Sequence, residues 1–235
     1  MIAVPLRPDP AAVSAFRAWQ DRIRDPSLTV LLVIELCAIF IAVPMAAEGE
    51  PIATLVARTL LLAAVAIVVT VSHRWGAVAL IVLGFTSSAM GWFLTGARST
   101  TVAALWNGGD IVTLCALIWV VGHAVYAPGR VTRYRLLGAV VIYLSLATIF
   151  ASAFTLLSEL RPHAFTEFDG GASPSKKIAL MLYFSFATLT GAGYGDVVPV
   201  DPFARSLANL ETVVGQFFLA TSVARLVTLW LKDLE

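Results

Sequence analysis

Six long apolar stretches restrict this chain to a small set of architectures. Each is close to the ~20 residues that an α-helix needs to cross a bilayer. They cover residues 28–47, 52–71, 75–95, 102–126, 136–157 and 203–231. Because lipid offers no hydrogen-bond partners to the backbone, such stretches must form helices. The predicted fold class is therefore an all-α integral membrane protein with six transmembrane helices.

Composition and charge exclude several classes of function. Hydrophobic residues make up 59% of the chain and charged residues 13%, whereas an average soluble domain carries about 25% charged residues. The formal net charge of +1 gives no electrostatic support for a nucleic-acid partner. Cys37 and Cys115 both lie inside apolar stretches, so neither a disulfide framework nor a cysteine metal site is expected.

A glycine-rich segment lies between the fifth and sixth stretches. Residues 188–196 read TLTGAGYGD, and the apolar lead-in at 177–190 is too short to cross a bilayer. Glycine adopts backbone conformations that a Cβ disfavours. Alternating left- and right-handed residues would aim successive carbonyl oxygens the same way. A ring of such oxygens can replace the hydration shell of a monovalent cation.

The segment resembles the selectivity filter of the tetrameric potassium channels, whose signature is T-x-T-T-V-G-Y-G-D. Thr188, Thr190 and residues 193–196 match it, whereas Gly191 and Ala192 stand where that family has threonine and valine. The resemblance covers residues 130–235. It implies a six-helix, prokaryotic-type subunit without a charged voltage-sensor helix. A re-entrant pore helix and filter would lie between helices five and six, and four identical subunits would surround one pore.

The resemblance also implies roles for particular residues. The ion-binding filter would comprise Thr190, Gly191, Ala192, Gly193, Tyr194 and Gly195, with K⁺ at the backbone carbonyls of residues 191–194. The expected supporting residues are Thr188, Asp196, Tyr183 and Glu211. Gly215 is the predicted gating hinge, and close helix packing through a small residue is the alternative. No cofactor is expected besides K⁺ as the permeant ion.

Two departures from the signature leave the selectivity open. Gly191 lacks the hydroxyl that completes the innermost ion site in the family, and Ala192 packs less behind the filter than valine. The predicted function is passive, potassium-selective conduction. The alternative is a weakly selective or non-conducting cation channel. Restoring threonine and valine is expected to sharpen selectivity or raise potassium flux.

Basic residues predict the orientation of the helices. Positive charge favours the cytoplasmic side of a membrane. If all six stretches cross the membrane, one side carries Arg7, Arg17, Arg22, Arg24, Arg74, Arg130, Arg133 and Arg135. Both termini are then cytoplasmic in a multi-pass protein of the plasma (inner) membrane. The predicted domains are a cytoplasmic segment at 1–27 with a candidate interfacial helix, a four-helix peripheral domain at 28–129, and a pore domain at 130–235.

The peripheral helices hold the remaining candidates. Residues 111–126 contain no arginine or lysine, so only weak voltage dependence is expected. An ion pair of Arg58 with Asp110 and an arginine partner for Glu35 are predicted. An intramembrane enzyme using Ser87, Ser88 and His123 is a remote alternative. The expected partners are three further copies of the chain and membrane lipids, and a separate regulatory subunit is left open.

Overall fold

The computed structural model describes residues 27–71, 75–93, 100–126, 133–166 and 173–232, which form seven helices. Their bounds are α1 Ser27–Ala47, α2 Pro51–Val71, α3 Trp75–Phe93, α4 Thr100–Val125, α5 Arg133–Leu160, α6 Pro174–Leu189 and α7 Pro202–Lys232. Six of these helices coincide with the predicted apolar stretches, so the helical assignment is confirmed. The candidate interfacial helix at 11–24 lies outside the described residues.

Three of the described helices are long and apolar enough to cross a membrane. They contain Ser27–Ala47, Thr101–His123 and Tyr134–Leu160, and shorter apolar stretches cover Thr59–Val69 and Val78–Ser88. α5 begins at Arg133, three residues before the fifth predicted stretch, and so includes Arg135. Arg130 lies outside the described residues.

A π-helical turn within α1 brings its outer part against α6. The turn covers Ala38–Ala42 and immediately precedes Val43–Ala47, which resumes the α-helix with a proline in its first turn. Pro44 has no N–H and its ring crowds the carbonyl group four residues earlier, so a wider turn relieves that position. Within the turn, the ring of Phe40 lies 5.8 Å from that of Phe186, which joins α1 to α6.

Two glycines allow α3 and α4 to cross with their backbones in contact. A Cβ on Gly84 would lie 2.7 Å from the Gly109 carbonyl oxygen, and a Cβ on Gly109 would lie 2.5 Å from the Gly84 carbonyl oxygen. Small residues at helix crossings permit such approaches in membranes. α4 is therefore continuous through Gly108 and Gly109.

Polar side chains inside the bundle find partners on neighbouring helices. Ser88 donates a 2.6 Å hydrogen bond to Asp110, and Ser145 donates a 2.5 Å hydrogen bond to Glu35. Glu35 thus has a serine partner on α5, and its predicted arginine partner stays a prediction, because most of the candidate arginines lie outside the described residues. The side chain of Arg58 lies outside the described part, so its predicted pair with Asp110 stays a prediction.

Gly109→Ala should destabilise the protein by about 1–3 kcal/mol, because the new methyl group meets backbone atoms that cannot rotate away. Gly108→Ala is the matched control: a Cβ there meets nothing within 4 Å. The thermal unfolding midpoint of the detergent-purified protein measures the difference. Equal midpoints for the two variants would contradict the backbone contact between α3 and α4.

Candidate functional site

Local signals fix the start of α6, the helix that leads into the glycine-rich segment (residues 188–196). Ser173 accepts a hydrogen bond from the Lys176 backbone N–H at 3.3 Å, and Pro174 occupies the first turn. This combination is typical of helix N-termini. Lys177 also forms an ion pair with Glu159 near the end of α5. The start of α6 is thereby tied to the helix before it.

An aromatic cluster packs α6 against α5. The ring of Phe154 in α5 meets Phe184 of α6 edge-to-face with centroids 4.9 Å apart, and Phe165 lies 5.5 Å from Phe184 in a similar geometry. Such aromatic pairs contribute about 0.5–1.5 kcal/mol beyond the burial of their area. Met181 and Phe154 are fully buried in the same cluster. These contacts hold α6 against α5 on the face away from the glycine-rich segment.

Two threonine hydroxyl groups satisfy carbonyl groups where α6 ends. Thr188 donates to the Phe184 carbonyl at 2.9 Å, and Thr190 donates to the Phe186 carbonyl at 2.7 Å. The backbone N–H of Gly193 then reaches back to the Ala187 carbonyl at 3.1 Å. Carbonyl groups at a helix end otherwise lack partners, so these contacts anchor the start of the segment.

The backbone alternates in handedness through the glycine-rich segment. The φ angles of Gly191, Gly193 and Gly195 are +76°, +55° and +80°. In the described part of the chain, His163 is the one non-glycine residue with positive φ. The φ angles of Ala192 and Tyr194, which lie between these glycines, are therefore negative. Glycine occupies each position where a Cβ would be strained. This is the alternation that the sequence predicted.

The conformation of Gly191 bears on the change to threonine. A threonine at 191 would need φ near +76°, where a β-branched residue is a genuine outlier. Left-handed backbone costs an L-residue about 1–2 kcal/mol. The double change to threonine and valine therefore conflicts with this backbone at position 191, and its expected effect on selectivity stays a prediction. Ala192→Val alone has no such conflict.

Tyr183 of α6 braces the outer half of the segment. Its ring stacks on that of Tyr194, with centroids 5.7 Å apart and an interplanar angle of 10°. The Tyr183 hydroxyl donates a hydrogen bond to Asp196, which holds the pKa of that carboxyl group below its usual range. Asp196 also accepts a hydrogen bond from the Val197 N–H at 3.0 Å. The sequence placed Asp196 within reach of Tyr183, and the structure brings them together.

Hydrogen bonds and an ion pair hold the chain between the glycine-rich segment and α7. Asp201 accepts hydrogen bonds from the N–H groups of Phe203 and Ala204 at 2.8 and 3.3 Å, which caps α7. The same carboxylate forms a 3.0 Å ion pair with Arg161 beyond the end of α5. Arg205 donates to the Pro199 carbonyl at 2.9 Å. The outer loop is thus bound to both flanking helices.

Gly215 allows α7 to press against the end of α6. A Cβ on Gly215 would lie 2.3 Å from the Leu189 carbonyl oxygen and 2.9 Å from Leu189 Cδ1. The residue is buried, so the contact has no room for a side chain. The geometry matches the packing alternative for Gly215, whereas its role as a gating hinge stays a prediction.

Glu211 joins α7 to both α6 and α5. It is fully buried and hydrogen bonded to Ser185, whose hydroxyl also donates to the Ala147 carbonyl at 2.7 Å. A serine hydroxyl has one proton to donate, and the carbonyl of Ala147 can only accept. If Ser185 donates to Ala147, the carboxyl group of Glu211 must donate to Ser185. The arrangement therefore favours a neutral Glu211, which also avoids an unpaired buried charge.

The contacts of Ser185 and Gln216 were not singled out by the sequence analysis. A buried acid on α7 signals a need for a polar partner, but the identity of that partner depends on how the helices face each other.

Ser87, Ser88 and His123 are not brought together as a catalytic set. Ser88 bonds Asp110, which lies 13 residues before His123 on the same helix, a distance of about 20 Å along its axis.

Comparison with known proteins gives one family match. Residues 139–232, from α5 through α7, match a family model described as "Ion channel". This match supports an ion channel family and passive ion conduction, and the family is a non-enzyme class. Together with the apolar helices it indicates a membrane protein. Neither a curated protein nor a solved structure matches the chain.

Glu211→Gln should preserve the folded protein, because a glutamine N–H can donate to Ser185 as the neutral acid does. Glu211→Ala should lower the stability by about 1–3 kcal/mol, since it leaves buried polar groups without a partner. Thermal unfolding of the purified protein and cation flux in liposomes provide the two readouts. If glutamine is as damaging as alanine, Glu211 is ionised in the folded protein.

Proposed function

We propose that the chain is one subunit of a potassium-selective channel that conducts K⁺ passively through the glycine-rich segment. The observation that carries the proposal is the alternation of φ from Gly191 to Gly195, placed directly after a helix within the ion channel match. The coordinating atoms are the backbone carbonyl oxygens of residues 191–194. A row of carbonyl oxygens facing a common axis replaces the water around K⁺.

Four copies are needed for such a pore. One strand supplies a quarter of an oxygen ring, so closing the ring requires fourfold symmetry. The surface of the single subunit fits this requirement. Tyr194 is 71% exposed, and Phe217 on α7 is 68% exposed. Large apolar side chains exposed on an isolated subunit are typical of surfaces that meet lipid or another chain.

The six apolar stretches then cross the membrane, and α6 enters it partway and returns through the glycine-rich segment. Both termini lie on the cytoplasmic side of the plasma (inner) membrane. The acidic and hydroxyl groups around Asp196 and Asp201 face the outer side. This orientation rests on the distribution of arginines in the sequence.

The bracing of the segment favours selectivity over a loose cation pore. Tyr183 contacts both Tyr194 and Asp196, so the outer half is held by stacking and by a charge-assisted hydrogen bond. The inner half is held by the Gly193 N–H to Ala187 bond and by the threonine hydroxyl groups. The weakly selective alternative is favoured by Gly191, which has no side chain at the inner end and is exposed.

A flux assay separates the candidates. The purified protein in liposomes should dissipate a K⁺ gradient, and its reversal potential with K⁺ on one side and Na⁺ on the other should follow K⁺. A reversal potential near zero would favour the weakly selective channel, and an absence of cation flux would contradict conduction. Native mass measurement should give a homotetramer, and a functional monomer or dimer would contradict the fourfold pore.

Tyr183→Phe should make conduction sensitive to milder external acid. The hydrogen bond from Tyr183 lowers the folded-state pKa of Asp196 beneath its ordinary 3.8. The contact is therefore present at neutral pH and is lost as pH falls through the lowered value. Without the hydroxyl, the pKa of Asp196 returns towards its ordinary value, so the Asp196 carboxylate is protonated at a higher pH than in the native protein.

The measurement is K⁺ conductance as the outer pH is stepped from 7 to 3. Tyr134→Phe provides the control, because Tyr134 lies at the opposite end of α5 from the glycine-rich segment. Identical acid profiles for the native protein and Tyr183→Phe would show that the hydrogen bond does not support conduction.

A further inference from the structure

A carboxamide on α7 lies beside Gly191 of the glycine-rich segment. Gly215 fixes the depth of this helix, because its missing side chain lets the helix touch the carbonyl group of Leu189. Gln216 is the next residue. A Cβ built on Gly191 would lie 3.5 Å from Gln216 Nε2, and among the described residues no other atom outside Gly191 and its two chain neighbours lies within 4 Å of that position.

The carboxamide of Gln216 therefore lies where a side chain of residue 191 would begin. Both Gly191 and Gln216 are exposed in the single subunit. A carboxamide carries a neutral carbonyl oxygen and an NH₂ group on one planar head. The NH₂ group faces Gly191, and the oxygen on the other arm of the same planar head has the coordinating chemistry of a backbone carbonyl oxygen, which suits a monovalent cation.

We propose that Gln216 is a specificity-determining residue for the permeant ion. Its carboxamide supplies a polar ligand from α7 at the position where Gly191 supplies none. In a tetramer, four such groups form a polar ring at the inner end of the glycine-rich segment. The proposal rests on the proposed channel function and goes beyond it, because it assigns part of the ion path to a side chain of α7.

The arrangement also explains how a glycine is accommodated at position 191. A side chain there would be strained by the positive φ and would meet the Gln216 head. Placing the polar group on α7 leaves the backbone of Gly191 free to continue the alternation. The polarity at this depth then depends on the contact between Gly215 and Leu189, which sets where Gln216 lies.

Gln216→Leu and Gln216→Glu test the proposal together in liposomes. Leucine keeps much of the volume and removes the polar head. We expect the K⁺ over Na⁺ permeability ratio to fall about fivefold, as a net loss of about 1 kcal/mol would give. Glutamate keeps the shape and adds negative charge, so block by Ba²⁺ from the inner side should become tighter while outer block changes little.

Asn209→Leu is the matched control. Asn209 is an exposed carboxamide on α7, seven residues before Gln216 and so on the same helix face. It lies about 10 Å nearer the outer end. Its substitution should leave the permeability ratio and inner Ba²⁺ block unchanged, because it is distant from Gly191.

The outcomes distinguish the role of Gln216 from the proposed channel function. If the native protein is K⁺-selective and both Gln216 variants match it, the channel function stands and the role of Gln216 is overturned. If Gln216→Leu fails to assemble, Gln216→Glu still decides, since a packing role predicts native Ba²⁺ block for a side chain of equal shape. If the native protein conducts no cations, the proposed function and this inference both fall.

Discussion

The contact between Gly215 and the Leu189 carbonyl oxygen is the constraint on which the candidate site depends. It brings two backbones together where α6 ends and the glycine-rich segment begins. From that point the depth of α7 is set, and with it the positions of Glu211 one turn outward and Gln216 beside Gly191. Packed interiors do not deform continuously, so a side chain at 215 would displace the entire helix.

Polar contacts secure the same packing on its outer side. Glu211 and Ser185 join α7 to α6, and Ser185 continues the connection to Ala147 of α5. A buried polar network stabilises a structure when its members are satisfied and destabilises it when one is left alone. The ion pair of Arg161 with Asp201 likewise connects the end of α5 to the start of α7, at a position that solvent can reach. Because exposed ion pairs contribute about 0–1 kcal/mol, the buried set carries more of the positioning.

The sequence predicted the helices well and the contacts between them less well. Apolar runs near 20 residues long signal helices directly, and their bounds needed only small adjustments. The glycine signature gave the alternation, because only glycine tolerates its left-handed positions. The sequence gives no sign that Gly109 lies at a helix crossing, since that depends on which helix lies against it. The sequence also did not predict the positive φ of Gly191, because the filters that it resembles have a threonine at that position.

Contacts to α6 and α7 add to the packing of the peripheral helices on α5. Phe40 of α1 meets Phe186 of α6, and the Tyr126 ring beyond α4 lies 4.6 Å from the Arg225 guanidinium of α7. A cavity of about 230 Å³ lies among α1, α2, α4, α5 and α6. Helices that border a cavity have room to shift against each other.

Residues 111–126 of the fourth predicted span carry no arginine or lysine, so the membrane field has little charge there on which to act. Any signal that α4 passes to α7 must then travel through packing and through the Tyr126–Arg225 contact. A cation over an aromatic ring contributes about 0.5–2 kcal/mol, comparable to the coupling free energies that link distant sites in proteins. The Tyr126–Arg225 contact therefore joins the end of α4 directly to α7.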